Sequence, residues 1–284
     1  MEMYKKILVP YDGSPSGRWA LMEALQMAKT NKSWVKALAI VPGYVGDLEL
    51  FGVSNIKETI EGPGRKLVSE AKEMAASQGI PLLADFEQGE PYERIVHVAE
   101  EERCDLIVMG RHGLSHVERE LMGSVTARVI GHTNKDVLVV PEGARIAWGN
   151  ILLATDGSRF SESATKRAIE IAQGSSSRIT AVSVVPAELL PEAPAAAVDM
   201  TERAKAVLES VKEKAASSGV EVEILIREGD PHLVIHDVAS QIHADVILMG
   251  SHGRKGLTRL LMGSVTERVI GYSFIPVLVV HATT

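Results

Sequence analysis

Twice in this chain a strand-length apolar run opens into the same glycine pattern. Gly110-Arg-His-Gly113 is followed after nine residues by Gly123-Ser124, and Gly250-Ser-His-Gly253 is followed after nine by Gly263-Ser264. Each pattern leads into a helix-length segment. The chemistry this arrangement could serve is anion binding. Glycine admits positive φ and lets phosphate oxygens approach backbone N–H groups. A glycine–hydroxyl pair at a helix N-terminus adds unpaired N–H groups and the favourable end of the helix dipole. Ser124, Thr126, Ser264 and Thr266 could add hydroxyl donors. The alternative is that the glycines only make turns and caps. Both copies keep every glycine while residues between them diverge, as in Leu114-Ser-His116 against Arg254-Lys-Gly256, which favours a phosphate cradle.

His112 and His252 sit inside both glycine segments. A general acid–base role is conceivable, but a contact to an anion or ribose, or a hydrogen bond within the loop, fits them better. His232 and His236 have the i, i+4 spacing of a metal pair, yet align with Tyr92 and Val96, so a solvated helix face is expected there and no metal site. Cys104 aligns with Ala244 and reads as a small core filler. A P-loop would need Lys-Ser/Thr after its glycines, and neither copy has it. The dinucleotide fingerprint is absent after the first strand. Gly13-Ser-Pro-Ser-Gly17 puts proline where a nucleophile elbow needs serine. No catalytic residue is assigned.

The elements that position these glycines are also written twice. Ile7-Leu-Val-Pro-Tyr-Asp12-Gly-Ser14 returns as Ile151-Leu-Leu-Ala-Thr-Asp156-Gly-Ser158, and Gly89-Glu-Pro91 as Gly229-Asp-Pro231. Gly110–Gly131 aligns without a gap to Gly250–Gly271, with 14 of 22 positions identical. Two domains, 1–145 and 146–284, follow from this duplication. Near the junction Trp148 either packs across the domain interface or covers the start of the second core; scarce aromatics favour the interface.

In the first half strands are expected over Lys6–Val9, Val35–Val41, Pro81–Phe86, Asp105–Met109 and Asp136–Val140. In the second they fall over Ile151–Ala154, Arg178–Val185, Glu221–Arg227, Asp245–Met249 and Val277–Val280. Helices are expected over Trp19–Lys29, Arg65–Ser77, Tyr92–Glu101 and Val125–Gly131, with counterparts at Glu162–Gln173, Thr201–Ser217, Leu233–Ile242 and Val265–Gly271. Gly79 and Gly219 stand where helix C-terminal caps belong. Apolar strands alternating with helices imply a doubly wound α/β sheet, parallel and covered on both faces. Ligands then bind beyond the strands' carboxyl ends, where Asp12 and Asp156, Val41 and Val185, and the glycine segments all lie. The alternative role for the two aspartates, with or without a ligand contact, is to cap the following helices through their Asp-Gly-Ser turns.

The chain carries 30 Lys+Arg against 37 Asp+Glu, a net charge of -7, which argues against general affinity for nucleic acid or anionic membrane. No apolar run reaches the ~18 residues of a membrane span, and the N-terminus meets charge too early for a signal peptide. A cytoplasmic location is expected.

The spacing G-x2-G-x9-G-[ST], with a strand ending in Asp-Gly-Ser near the start of each half, resembles the universal stress protein family, as a tandem two-domain member. The resemblance implies two Rossmann-like (adenine nucleotide alpha hydrolase-like) domains, each a five-stranded parallel sheet in the order 3-2-1-4-5, and a bound adenine nucleotide: ATP, ADP or AMP, with Mg2+ assisting. By that match Asp12 and Asp156 line the adenosine pocket, and Val41 and Val185 meet adenine through backbone groups. Gly110, Gly113, Gly123 and Ser124, with Gly250, Gly253, Gly263 and Ser264, hold ribose and phosphates. Met109, His112, Val125 and Thr126, with Met249, His252, Val265 and Thr266, complete the two sites. One departure is Ala154 where the first half has Pro10.

The implied function is a regulatory module in which nucleotide occupancy alters conformation or partner choice. A slow ATPase or phosphotransferase, or a scaffold with a structural nucleotide, are the alternatives. The closing strands of the halves are expected to pair as a pseudo-symmetric dimer, with a homodimer and a regulatory protein partner possible. The loops between second and third glycines differ in charge: Glu118, Arg119 and Glu120 sum to -1, whereas Arg254, Lys255 and Arg259 sum to +3. The second half should therefore favour ATP more strongly.

Overall fold

The computed structural model describes residues 4–41, 43, 56–113, 122–186, 194–253 and 262–282. In the first half β1 (Lys6–Pro10), α1 (Pro15–Asn31), β2 (Trp34–Val41), α2 (Ile56–Ser77), β3 (Leu83–Gln88), α3 (Pro91–Glu101), β4 (Leu106–Gly110), α4 (Ser124–His132) and β5 (Asp136–Val140) alternate as expected. The second half repeats them as β6 (Asn150–Ala154), α5 (Arg159–Ser175), β7 (Arg178–Val185), α6 (Pro194–Ser217), β8 (Val222–Glu228), α7 (Pro231–Gln241), β9 (Val246–Gly250), α8 (Ser264–Tyr272) and β10 (Val277–Val280).

The boundary differences have local causes. Helix α1 starts at Pro15 because Ser14 is a true N-cap, its Oγ accepting from the Gly17 N–H at 3.0 Å, and proline at the first helical position gives up only an N–H that would be orphaned anyway. Strands β3 and β8 lie two and one residues later than their apolar runs, because Ile80 and Val220 are used to end the preceding helices. Gly79 and Gly219 adopt φ of 67° and 72°. The Ile80 and Val220 N–H groups then reach back to the carbonyls of Ala75 and Ala215, and both apolar side chains are buried. This is the Schellman ending that glycine permits.

Within each half the strands are parallel and run in the order 3-2-1-4-5. Strands β5 and β10 then pair antiparallel, with Val139 opposite Val277, Leu138 opposite Leu278 and Val137 opposite Val279. The result is a single ten-stranded sheet, β3-β2-β1-β4-β5-β10-β9-β6-β7-β8. Alternate residues of the paired strands point to opposite faces. Leu138, Val140, Leu278 and Val280 enter the core under α1, α2, α5 and α6. Val137, Val139, Val277 and Val279 enter the one under α3, α4, α7 and α8. Both cores therefore run through both halves. Trp148 is partly buried against the first of them, and Cys104 is buried in the second.

Polar contacts also join the halves. The Asp136 carboxylate, 5% exposed, accepts from the Tyr4 hydroxyl at 2.8 Å and pairs with Arg167 of α5 at 2.7 Å. Burial pushes the Asp136 carboxyl above its usual range, while Arg167 and the Tyr4 hydroxyl pull it back. The aligned position in the second half is Pro276, so this contact is not repeated. His281, just past β10, donates from Nε2 to the Ile130 carbonyl in the last turn of α4 at 2.8 Å. Burial holds its imidazole below the usual value and so keeps it neutral near pH 7.

Two outcomes follow from these contacts. Arg167→Ala should lower stability in urea melts by about 2–3 kcal/mol, somewhat under the roughly 3–5 kcal/mol of a fully buried broken pair, because Arg167 keeps some solvent. Unfolded, His281 takes up its proton near pH 6.5; folded, it does so only at lower pH. Its contribution is thus present above about pH 6.5 and lost as pH falls. His281→Gln, which keeps a donor for Ile130, should remove that slope. The wild-type-minus-variant difference between about pH 7 and pH 5 is the quantity to measure, since Asp136 titrates with the opposite sign.

Candidate functional site

The site begins at the carboxyl ends of the first and fourth strands of each half. After β1 and β6 the chain turns through Asp-Gly-Ser. The Asp12 Oδ1 accepts from the Ser14 N–H at 3.0 Å, and the Asp156 Oδ1 from the Ser158 N–H at 2.9 Å. The helix caps themselves are Ser14 and Ser158, which corrects the expectation that the aspartates might cap. Asp12 and Asp156 fix the turn, and each Oδ2 lies beside the next segment: a Cβ placed on Gly113 or Gly253 would stand 2.8 or 2.9 Å from it.

The glycines serve close approach, not unusual backbone. None of Gly110, Gly113, Gly123, Gly250, Gly253 and Gly263 has positive φ, contrary to the expectation from the motif. A Cβ on Gly110 would sit 2.8 Å from the Ser16 carbonyl, and one on Gly250 would sit 2.6 Å from the carbonyl carbon of Phe160. These two residues let the first turns of α1 and α5 close onto β4 and β9. At Gly123 and Gly263 a Cβ would press at 3.2–3.4 Å on the backbone of residues 111–112 and 251–252.

The loop closes on itself through backbone bonds. Gly123 N–H donates to the Arg111 carbonyl at 2.8 Å, and Gly263 N–H to the Ser251 carbonyl at 2.9 Å. The Thr126 and Thr266 hydroxyls, both buried, donate to the carbonyls of Gly110 and Gly250 at 3.1 and 3.0 Å. Here their protons tie the helix to the strand end. Ser124 and Ser264 are exposed. The N-cap residues of α4 and α8 are Gly123 and Gly263 and make no side-chain cap hydrogen bond; a helix start of this kind suits an anion.

In the second half all ten candidates (Asp156, Val185, Met249, Gly250, His252, Gly253, Gly263, Ser264, Val265 and Thr266) line one cavity of about 520 Å3. That volume falls within the roughly 300–1,000 Å3 usual for small-molecule sites. Its lining combines the apolar side chains of Val182, Val185, Ile235 and Met249 with the glycines and the first turn of α8. The Val41 and Val185 carbonyls accept from Gly89 and Gly229 N–H at 3.1 Å, each keeping one lone pair. His252 is buried, bonded to the Ser251 hydroxyl at 3.1 Å and tilted against Phe160 at 5.0 Å. His112 accepts from Arg111 Nε at 3.0 Å.

Sequence reasoning missed Met200 and Ala204, which α6 brings to this cavity. It also missed Pro231 and Ile235 of α7, although the repeated Gly-Asp-Pro was a usable signal for that pair. The first half juxtaposes Asp12, Gly110, Gly113, Gly123 and Thr126 in the same way, and Val41 is buried at its strand end. The oppositely charged loops at 114–121 and 254–261 lie outside the described residues. His232 is not on a solvated face as expected: it is buried, bonded to Asp230 and tilted against Tyr272 at 5.4 Å. Among the described residues no group of three or more potential ligands could hold a metal ion, and no helix is long and apolar enough to cross a membrane.

Substitution separates packing from access. Gly250→Ala forces backbone against backbone and should cost about 1–3 kcal/mol in thermal or urea unfolding. Gly253→Ala meets only the far end of a carboxylate side chain and should change stability by less than about 1 kcal/mol while displacing Asp156.

The model of one protein family, described as the universal stress protein family, matches residues 3–141 and again 147–281. A universal stress protein of Methanocaldococcus jannaschii is 36% identical over 140 residues, covering 49% of this chain and 82% of its own. One from Mycobacterium tuberculosis is 32% identical over 143 residues, covering 49% and 98%. Among solved structures, a universal stress protein of Archaeoglobus fulgidus superposes along 98% of both chains with a TM-score of 0.75 at 22% identity. A protein of Pseudomonas aeruginosa described as functionally unknown covers 99% of this chain and 94% of its own, with a TM-score of 0.68 at 18% identity. These two establish the likeness of fold along the whole length. With the family's model matched once in each half, and its glycine segments placed at the strand ends of both, the chain belongs to the universal stress protein family, as a tandem two-domain member.

Proposed function

We propose that the chain is an adenine-nucleotide-binding regulatory module, holding ATP in the cavity of the second half and in the corresponding site of the first. One observation carries this reading. Residues from separate stretches of the second half (the β6 turn, the ends of β7 and β9, the glycine segment and α8) converge on one cavity lined by apolar side chains, glycines and the first turn of α8. That lining suits a molecule that joins a flat apolar base to anionic phosphates. The family resemblance implies the same ligand.

The residues fit that ligand. Val185 and Met249 would offer apolar walls to a purine, Asp156 would accept from a ribose hydroxyl, and the α8 first turn with exposed Ser264 would hold the phosphates. Mg2+ would arrive bound to the phosphates. The site offers positioning and anion stabilisation, whereas phosphoryl transfer also asks for a positioned base. Regulation through occupancy is thus favoured over turnover.

Calorimetric titration with Mg-ATP should give up to two sites per chain. Gly253→Val should remove the second-half site, and Gly113→Val the first, by filling the space beside the aspartate. Unchanged stoichiometry in both variants would refute the assignment. Hydrolysis should stay well below about 1 per second, the low end of working enzymes; sustained turnover above that would favour the enzymatic reading.

A further inference from the structure

Arg111 holds two helices that belong to different halves. Its backbone carbonyl accepts from Gly123, the residue that starts α4 beside the first-half glycines. Its guanidinium crosses to the second half, where Nη1 donates to the carbonyls of Gly271 and Ser273, each at 3.0 Å. Those carbonyls close the C-terminal end of α8, where a cation meets the negative end of the helix dipole. Nε of the same side chain donates to His112 at 3.0 Å, which ties the guanidinium to the glycine segment it springs from. The other end of α8, about 13 Å away at 1.5 Å per residue, is the uncapped N-terminus lining the second-half cavity.

The crossing is lopsided. At the position aligned with Arg111 the second half has Ser251, too short to reach back. The return contact, at the last turn of α4, comes instead from His281 to the Ile130 carbonyl, an imidazole kept neutral by burial. Among the described residues, one permanent charge therefore crosses between the halves at the glycine-segment helices, and it runs from the first half's segment to the second half's helix.

We propose that Arg111 is a positioning residue that couples the two nucleotide sites, so that ATP in the first half raises affinity in the second. The inference rests on the nucleotide-binding reading given above. Ligand in the first half fixes the backbone of residues 110–113 and with it the root of the guanidinium. A fixed guanidinium holds the C-terminal end of α8, and a nine-residue helix moves as a rigid rod, so its N-terminal N–H groups are set in place before ATP reaches them. Linkage requires the effect to be reciprocal.

The test compares second-half affinity for Mg-ATP in the full chain with that in the Gly113→Val chain, by calorimetry, with and without Arg111→Met. The full chain should bind at the second half about fivefold more tightly, near the lower end of usual coupling, and Arg111→Met should shrink that gap to within about twofold. Arg111→Lys, which keeps the charge but not the forked donor, should leave an intermediate gap. A second readout uses the Gly253→Val chain, loaded with ATP only in its first half. Hydrogen exchange in the last turn of α8 should slow on loading, and should not respond in the Arg111→Met version. A merely structural role for Arg111 would lower stability without altering this response to ligand. Two occupied sites whose affinities do not depend on each other, or a gap that survives both Arg111 variants, would overturn the coupling alone. Absence of ATP binding in either half of the wild-type chain would overturn the nucleotide reading and the coupling with it.

Discussion

Each half ends its five-stranded parallel sheet with a strand that has partners on one side only. An open edge of that kind leaves a row of N–H and C=O groups unpaired, and β5 and β10 are apolar on both faces, so neither can stand in water. Their antiparallel pairing over Val137–Val139 and Val277–Val279 satisfies both edges at once. Everything else about the relation between the halves follows from it. The pairing extends each core through the junction, brings Arg167 of one half to Asp136 of the other, and sets the C-terminal ends of α4 and α8 beside the partner half's strands.

Pseudo-symmetry from that pairing does not make the halves equivalent. Duplication supplies the same backbone twice, but the polar contacts that cross the junction come from positions that have diverged. Asp136 faces Arg167 where the aligned position is proline; Arg111 spans to α8 where the aligned serine cannot; His281 returns to α4 from a position occupied by Pro141 in the first half. Packing is shared between the halves, while each of these polar contacts is made once and is not repeated by its symmetry mate.

The site itself rests on the same economy of backbone. Glycine is used at the strand ends because two main chains must touch there, as Gly250 touches Phe160. Thr126 and Thr266 then lock the helix to the strand through one buried hydroxyl each. The cavity itself is lined by the glycine segment, Asp156, His252, the first turn of α8 and apolar strand ends.

Much of this was legible in the residues. Apolar runs between glycine turns specified ten strands, their order within each half followed from the family likeness, and the repeated motifs, the strand ends and that likeness together named ten residues that meet around one cavity. These features depend on local pattern, and duplication printed each of them twice. Three things were decided only by tertiary structure. The glycines' true role lies in which backbone stands opposite them, and spacing does not contain that. Met200 and Ala204 reach the cavity because α6 crosses above β7, with no local mark in a helix of ordinary composition. Arg111, Asp136 and His281 matter because strand pairing brings the halves together, placing each within hydrogen-bond reach of a group 31 to 162 positions away in the chain. Local pattern determines which elements form, because periodicity and turn chemistry act over a few residues. Contacts between elements depend on the order in which strands lie side by side, and that is a property of the folded sheet.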